Sequence, residues 1–149
     1  MNTGMAHTNH GGKRLVFIVE DNETYAGSLQ AFIQAHFPGI KEVKVFRIGE
    51  MCLMELHRSP GIVIMDYFLN SKYEEAHNGL EIIKQIKSQK PRTNIIVLSA
   101  QEDFNVILES IKEYHCSYVK KDADSFQNVE ILIKKFLTQK RPASLEPWA

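Results

Sequence analysis

Cysteine, net charge and long apolar runs are all scarce in this sequence, and each shortage removes a class of protein. Two cysteines, Cys52 and Cys116, stand far apart in 149 residues, too few and too isolated for a disulfide framework or a thiolate metal site. Eighteen basic residues balance eighteen acidic ones, which leaves no general attraction to nucleic acid or to an anionic membrane surface. No apolar stretch approaches the roughly 20 residues needed to cross a bilayer. Residues 1–14 are polar and contain no apolar h-region, so they do not read as a secretory signal. His7 and His10, within that stretch, read as solvated rather than metal-bound. The expectation is a cytoplasmic protein that binds neither nucleic acid nor membrane directly. A hydrophobic content of 44% with 24% charged residues is ordinary for one soluble domain of this length. Residues 14–140 are read as that domain, 1–13 as a flexible N-terminal tail, and 141–149 as a C-terminal tail or the start of a linker.

What the chain does have is a regular alternation. Leu15-Val16-Phe17-Ile18-Val19, Ile62-Val63-Ile64-Met65 and Asn94-Ile95-Ile96-Val97-Leu98 are almost uninterrupted apolar runs, the pattern of strands buried on both faces. Residues 43–46 and 117–119 add two shorter strands. Between them apolar residues recur at helical spacing. Leu29, Phe32, Ile33 and Phe37 form one such face, stopped by Pro38-Gly39. A short helix over 49–57 carries Cys52, Leu53 and Leu56, and a helix opened by Gly79 turns Leu80, Ile83 and Ile86 inward before Lys90-Pro91. Phe104, Ile107, Leu108, Ile111 and His115 make the clearest stripe, and a last helix over 125–138 carries Phe126, Val129, Ile133, Phe136 and Leu137. Five strand–helix units with fully apolar strands predict an α/β fold, a doubly wound (βα)5 parallel sheet. Right-handed crossovers then bring every strand's C-terminal end to one edge.

At that edge the sequence places Glu20-Asp21 after the first strand, Asp66 after the third, Ser99 after the fourth and Lys121 after the fifth. In open α/β sheets this edge is where ligands bind. Three converging carboxylates repel one another unless a cation joins them, and oxygen donors without His or Cys suit a hard ion such as Mg2+. A carboxylate that accepts a phosphoryl group needs its developing charge met by cations and by hydrogen-bond donors, roles within reach of Lys121 and Ser99. Taken singly, each residue also has an ordinary reading. Acids favour a helix N-terminus, a serine after a strand often caps, and a lysine there is usually solvated. It is their joint placement on different strands that points to chemistry.

The sequence resembles the receiver domains of two-component response regulators, closest in form to the single-domain chemotaxis type. The resemblance covers residues 13–139 and rests on Val19-Glu20-Asp21, Ile64-Met65-Asp66, Asn78-Gly79-Leu80-Glu81, Leu98-Ser99-Ala100 and Tyr118-Val119-Lys120-Lys121. It implies the flavodoxin-like receiver fold and a signalling domain that catalyses only its own phosphorylation and autodephosphorylation. By the same resemblance Asp66 is the phosphoacceptor. Mg2+ is held by Asp21, Asp66 and the backbone carbonyl of Phe68, with Glu20 acting through water. Ser99, Lys121 and Tyr118 are the phosphoryl-stabilising and switch residues, with Lys121 rather than Lys120 taken as the switch lysine because it lies three residues after the aromatic. Phe68 and Gln101 occupy positions that tune phosphoryl lifetime. The implied partners are a sensor histidine kinase or histidine phosphotransfer protein, and a downstream target that reads the face of the fourth helix, fifth strand and fifth helix. A homodimer through that face is a further expectation of the resemblance.

Departures from the family pattern fall at the rim. Asn70 replaces a frequent proline, the loop over 70–78 is long and carries Glu74 and Glu75, and Asp122 replaces the proline after Lys121, so a trans bond is expected there. Two rivals lack residues they need. An aspartate-nucleophile phosphatase of the haloacid dehalogenase type requires a second acid where Phe68 stands, and a flavodoxin-like cofactor binder requires a Gly/Ser/Thr phosphate loop where Glu20-Asp21-Asn22-Glu23 stands. A receiver fold used as a constitutive interaction module, not switched by phosphate, is the remaining alternative; the intact set of strand-end residues argues against it.

Overall fold

The computed structural model describes residues 14–67, 79–100 and 104–139. Five strands, β1 (Leu15–Val19), β2 (Glu42–Phe46), β3 (Ile62–Asp66), β4 (Asn94–Ser99) and β5 (Ser117–Lys120), alternate with helices α1 (Glu23–His36), α2 (Gly49–Met54), α3 (Gly79–Gln89), α4 (Phe104–Lys112) and α5 (Ser125–Thr138). The sheet is parallel throughout, in the order β2-β1-β3-β4-β5. This is the predicted doubly wound (βα)5 fold.

Period-two alternation along the strands divides the core into two layers. Phe17, Val19, Val63, Met65, Ile95 and Val97 face one side, where Cys52 of α2, Ile82, Ile83 and Ile86 of α3, and Ile107 and Ile111 of α4 cover them. Val16, Ile18, Ile62, Ile64, Ile96 and Leu98 face the other, under Leu29 and Ile33 of α1 and Val129, Ile133 and Phe136 of α5. Both faces are sealed, which is why the central strands read as continuous apolar runs.

Local details differ from the sequence expectation where one or two residues decide a helix face. The helix predicted over 49–57 breaks after Met54 and resumes as a single 3-10 turn, Leu56–Arg58, ended by Ser59 in the left-handed region at φ 58°. In α3 it is Ile82 that is fully buried with Ile83 and Ile86, while Leu80 is half-buried. The stripe predicted through α4 ends early. The helix stops at Lys112, His115 lies beyond it at φ 57°, and Leu108 is 38% exposed. The Asn22 side-chain oxygen accepts the Tyr25 N–H at 2.9 Å and caps α1, satisfying a donor that helix geometry leaves orphaned. No cis peptide bond occurs among the described residues, so Lys121–Asp122 is trans as expected.

Gly79 starts α3 against the chain that leaves β3. A Cβ there would lie 2.4 Å from the Tyr67 carbonyl oxygen and 2.9 Å from the Tyr67 Cα, and Tyr67 is anchored in turn by its N–H to the Leu98 carbonyl at 2.9 Å. Backbone cannot give way as a side-chain tip does. Gly79→Ala is therefore expected to destabilise the fold by roughly 1–3 kcal/mol, despite the helix propensity gained, and urea denaturation measures the shift.

Candidate functional site

The parallel register delivers the strand-end residues to one edge. Asp66 closes β3 and pairs with Leu98 in β4, whose next residue is Ser99. Asp66 continues the Ile62–Ile64 row, so it leaves the sheet on the α1/α5 side. Glu20 follows β1, its N–H donating to the Phe46 carbonyl at 2.9 Å. Lys121 follows β5, its N–H donating to the Ser99 carbonyl at 2.9 Å. Sheet hydrogen bonding thus fixes the backbone beneath each of these side chains.

Carboxylate oxygens of Glu20, Asp21 and Asp66 all lie within 4.8 Å of one another. Glu20 is 1% exposed and Asp66 8%, while Asp21 is half-buried. The Lys121 Nζ donates to Glu20 Oε1 in a short ion pair and reaches Asp66 Oδ2 at 3.3 Å. The second Glu20 oxygen accepts the Asn22 N–H at 3.2 Å. Lys120, the neighbour, is exposed. Ser99 is wholly buried at the end of β4. Tyr118 is half-buried against the layer that holds Ile107 and Ile111, and its hydroxyl donates to the Ser99 carbonyl at 3.4 Å. Phe68 and Gln101 lie outside the described residues, as do the loop over 70–78 and the tail with Trp148.

Burial pushes the Glu20 carboxyl above the ordinary carboxylate range. The Lys121 hydrogen bond opposes this and the Asp66 charge adds to it. Burial pulls the Lys121 ammonium down, but the Glu20 hydrogen bond and the charges of Asp66 and Glu20 outweigh it, so Lys121 holds its proton above the ordinary lysine value. Among the described residues, three carboxylates face one ammonium, a formal net charge of minus two in the cluster. That donor set, all oxygen and doubly negative, fits a hard divalent cation. Both thiols stand apart from this chemistry, since burial pushes Cys52 up to about 12 and Cys116 up to about 11.

One neighbour escaped the sequence reading. Tyr25, on the first turn of α1, places its ring 4.4 Å from the Lys121 Nζ and its hydroxyl 3.0 Å from the Ser125 Oγ. Burial pushes its phenol above the ordinary tyrosine range, with the Ser125 hydrogen bond opposing. The available signal was its spacing, since Tyr25, Leu29 and Phe32 continue one helical stripe.

Residues 16–133 match the response regulator receiver domain family. The chain belongs to that family, the phosphoacceptor domains of two-component signalling, which work with kinases and downstream effectors. No curated protein sequence matches it. Among solved structures it is similar to the phosphorylated cyanobacterial phytochrome response regulator RcpA, with a TM-score of 0.69 and 22% identity over 86% of this chain and 96% of that one. It is similar to the BeF3-activated receiver domain of DrrB, a Thermotoga maritima protein, with a TM-score of 0.70 and 23% identity over 84% and 97% of the two chains. The Mn2+-bound form of response regulator Rcp1 gives a TM-score of 0.65 and 20% identity over 87% and 99%. At these identities the likeness is one of fold.

Removing the ammonium leaves Glu20 and Asp66 buried beside each other. Lys121→Ala is expected to lower stability by about 3 kcal/mol at neutral pH, the lower end for breaking a buried pair because the cleft is partly open. The sign with pH follows from Glu20. Its folded value is raised, so its ionisation destabilises the fold as pH rises through that value, and the protonated acid needs no partner. The gap between Lys121→Ala and the native chain is therefore expected to narrow as pH falls through the raised Glu20 value, in urea titrations run across the acid range.

Proposed function

We propose that this chain is a phosphorylation-switched receiver in which Asp66 accepts a phosphoryl group from a partner phosphohistidine. The observation that carries the reading is Asp66 at the C-terminal end of β3, 3.3 Å from the Lys121 ammonium and clustered with the Glu20 and Asp21 carboxylates. An Asp66 carboxylate oxygen attacks phosphorus, the P–N bond to the donor imidazole breaks as the O–P bond forms, and the imidazole nitrogen leaves with the bond's electron pair and takes up a proton. Lys121 meets the charge gathering on the phosphoryl oxygens, and Ser99, at the end of the neighbouring strand, supplies a hydrogen-bond donor. Asp21, Asp66 and the Phe68 carbonyl would hold Mg2+, with Glu20 acting through water. When bound, it supplies positive charge to the acidic cluster and to the phosphoryl oxygens. A Mn2+-bound form of Rcp1 and a phosphorylated RcpA, both similar in fold, support this reading.

The output follows from a local charge change acting on a packed element. The Tyr118 hydroxyl donates to the Ser99 carbonyl, so the aromatic stands beside the residue that turns toward the phosphoryl group, and a change at Ser99 is felt in its packing. The face formed by α4, β5 and α5 is the surface that a downstream protein reads, and the surface through which two copies pair. The donor is a sensor histidine kinase or a histidine phosphotransfer protein. Residues 14–140 form the receiver, and the protein acts in the cytoplasm without touching nucleic acid or membrane itself. No helix among the described residues is long and apolar enough to cross a membrane.

Incubation with acetyl phosphate and Mg2+, followed by intact-mass measurement, tests the proposal. One phosphoryl adduct is expected on the native chain, with none on Asp66→Asn and none after chelation. An adduct that persists on Asp66→Asn, or a folded native chain that takes none, contradicts it.

A further inference from the structure

We propose that Tyr25 is a positioning residue for Lys121, backing the ammonium with its ring while its hydroxyl is latched to Ser125 at the start of α5. The inference rests on the phosphoacceptor reading of the site and extends it to a residue on α1.

The ring centroid lies 4.4 Å from the Lys121 Nζ, well inside the range over which an aromatic face attracts a cation. The residue is itself held at three points, two of them on the side chain. The Tyr25 N–H donates to the Asn22 side-chain oxygen at 2.9 Å, the hydroxyl is 3.0 Å from the Ser125 Oγ, and the ring meets Phe126 edge-on with centroids 5.5 Å apart. Ser125 is 2% exposed, so the Ser125 end of the latch is shielded from solvent.

Lysine is a flexible four-carbon stem with much rotamer freedom to lose. Among the described residues its side chain also pairs with Glu20 and Asp66, and Asp66 is the group that the proposed reaction converts to an acyl phosphate. The Tyr25 ring is unaltered by that reaction. Together with the Glu20 pair, it therefore helps keep the ammonium at the cleft while Asp66 changes. Because the hydroxyl is bonded to the first residue of α5, the same side chain couples the lysine to one helix of the proposed output face.

The test compares the native chain with Tyr25→Leu, Tyr25→Phe and Ser125→Ala. It reads the initial rate of adduct formation from acetyl phosphate with Mg2+, and the Lys121 ε-methylene proton shifts by NMR. In the native chain those protons are expected to move upfield of ordinary lysine positions by the ring current. Tyr25→Leu is expected to lose the upfield shift and to form adduct roughly three- to thirty-fold more slowly, the range that cation–π contacts span. Tyr25→Phe, which keeps the ring, is expected to restore most of both, and Ser125→Ala to weaken both partially as the ring loses its latch. Ordinary Lys121 shifts in the native chain overturn the proposal without recourse to any variant. So does a folded Tyr25→Leu protein, judged by unchanged core amide resonances, that forms adduct at the native rate. A native chain that takes no phosphoryl group overturns the reading of the site itself, a result distinct from either.

Discussion

The ammonium of Lys121 shared between Glu20 and Asp66 is the interaction on which the site depends. Two carboxylates that are nearly buried sit within reach of each other and of Asp21, an arrangement that repulsion and lost hydration both oppose. Lys121 offsets part of that cost. It can do so because its own N–H is bonded to the Ser99 carbonyl, so the β4–β5 pairing sets where the lysine stem begins. The cluster is left doubly negative, and that residual charge makes the edge receptive to a divalent cation and to the cation-screened chemistry of phosphoryl transfer.

The same sheet supplies both the stability and the polarity of the site. Central strands sealed on both faces give a core that needs no polar residue until the strand ends. There the chain turns, and charge is concentrated where only loops and helix starts compete for space. Gly49 and Gly79 mark where helices come close: an added Cβ at Gly49 would lie 2.5 Å from the Ile82 side chain, and one at Gly79 2.4 Å from the Tyr67 carbonyl. The latter holds α3 tight against the chain leaving β3, immediately after Asp66. Edge strand β2 carries its own charges, with Arg58 paired to Glu42 and Lys44 to Glu55, each at 2.5 Å, which discourages pairing with another sheet edge.

Much of this was legible because fully buried parallel strands leave an unambiguous trace. An apolar run followed directly by an acid, a serine or a lysine identifies both the strand and the residue it delivers to the edge. Helix faces were less legible. In α3 a shift of the apolar face exchanges Leu80 for Ile82, and in α4 the stripe through Leu108 and His115 overran the helix end. Apolar spacing alone does not say where a helix stops or which of two adjacent aliphatic residues turns inward. Tyr25 was hidden for a different reason. Its partners, Lys121 and Ser125, are about a hundred residues away in the chain, and only the packing of α1 beside α5 brings them together. The choice of Glu20 as the tighter partner of Lys121 is likewise a property of the folded edge and not of any motif.

The proposed switch depends on one carboxylate, that of Asp66. Borohydride reduction of an acyl phosphate converts the modified aspartate to homoserine, which tandem mass spectrometry locates by residue. After incubation with acetyl phosphate and Mg2+, the account predicts homoserine at position 66 and at no other acidic position, Glu20 and Asp21 included. Reduction product at a different carboxylate, or a phosphorylated chain that yields none, would contradict it.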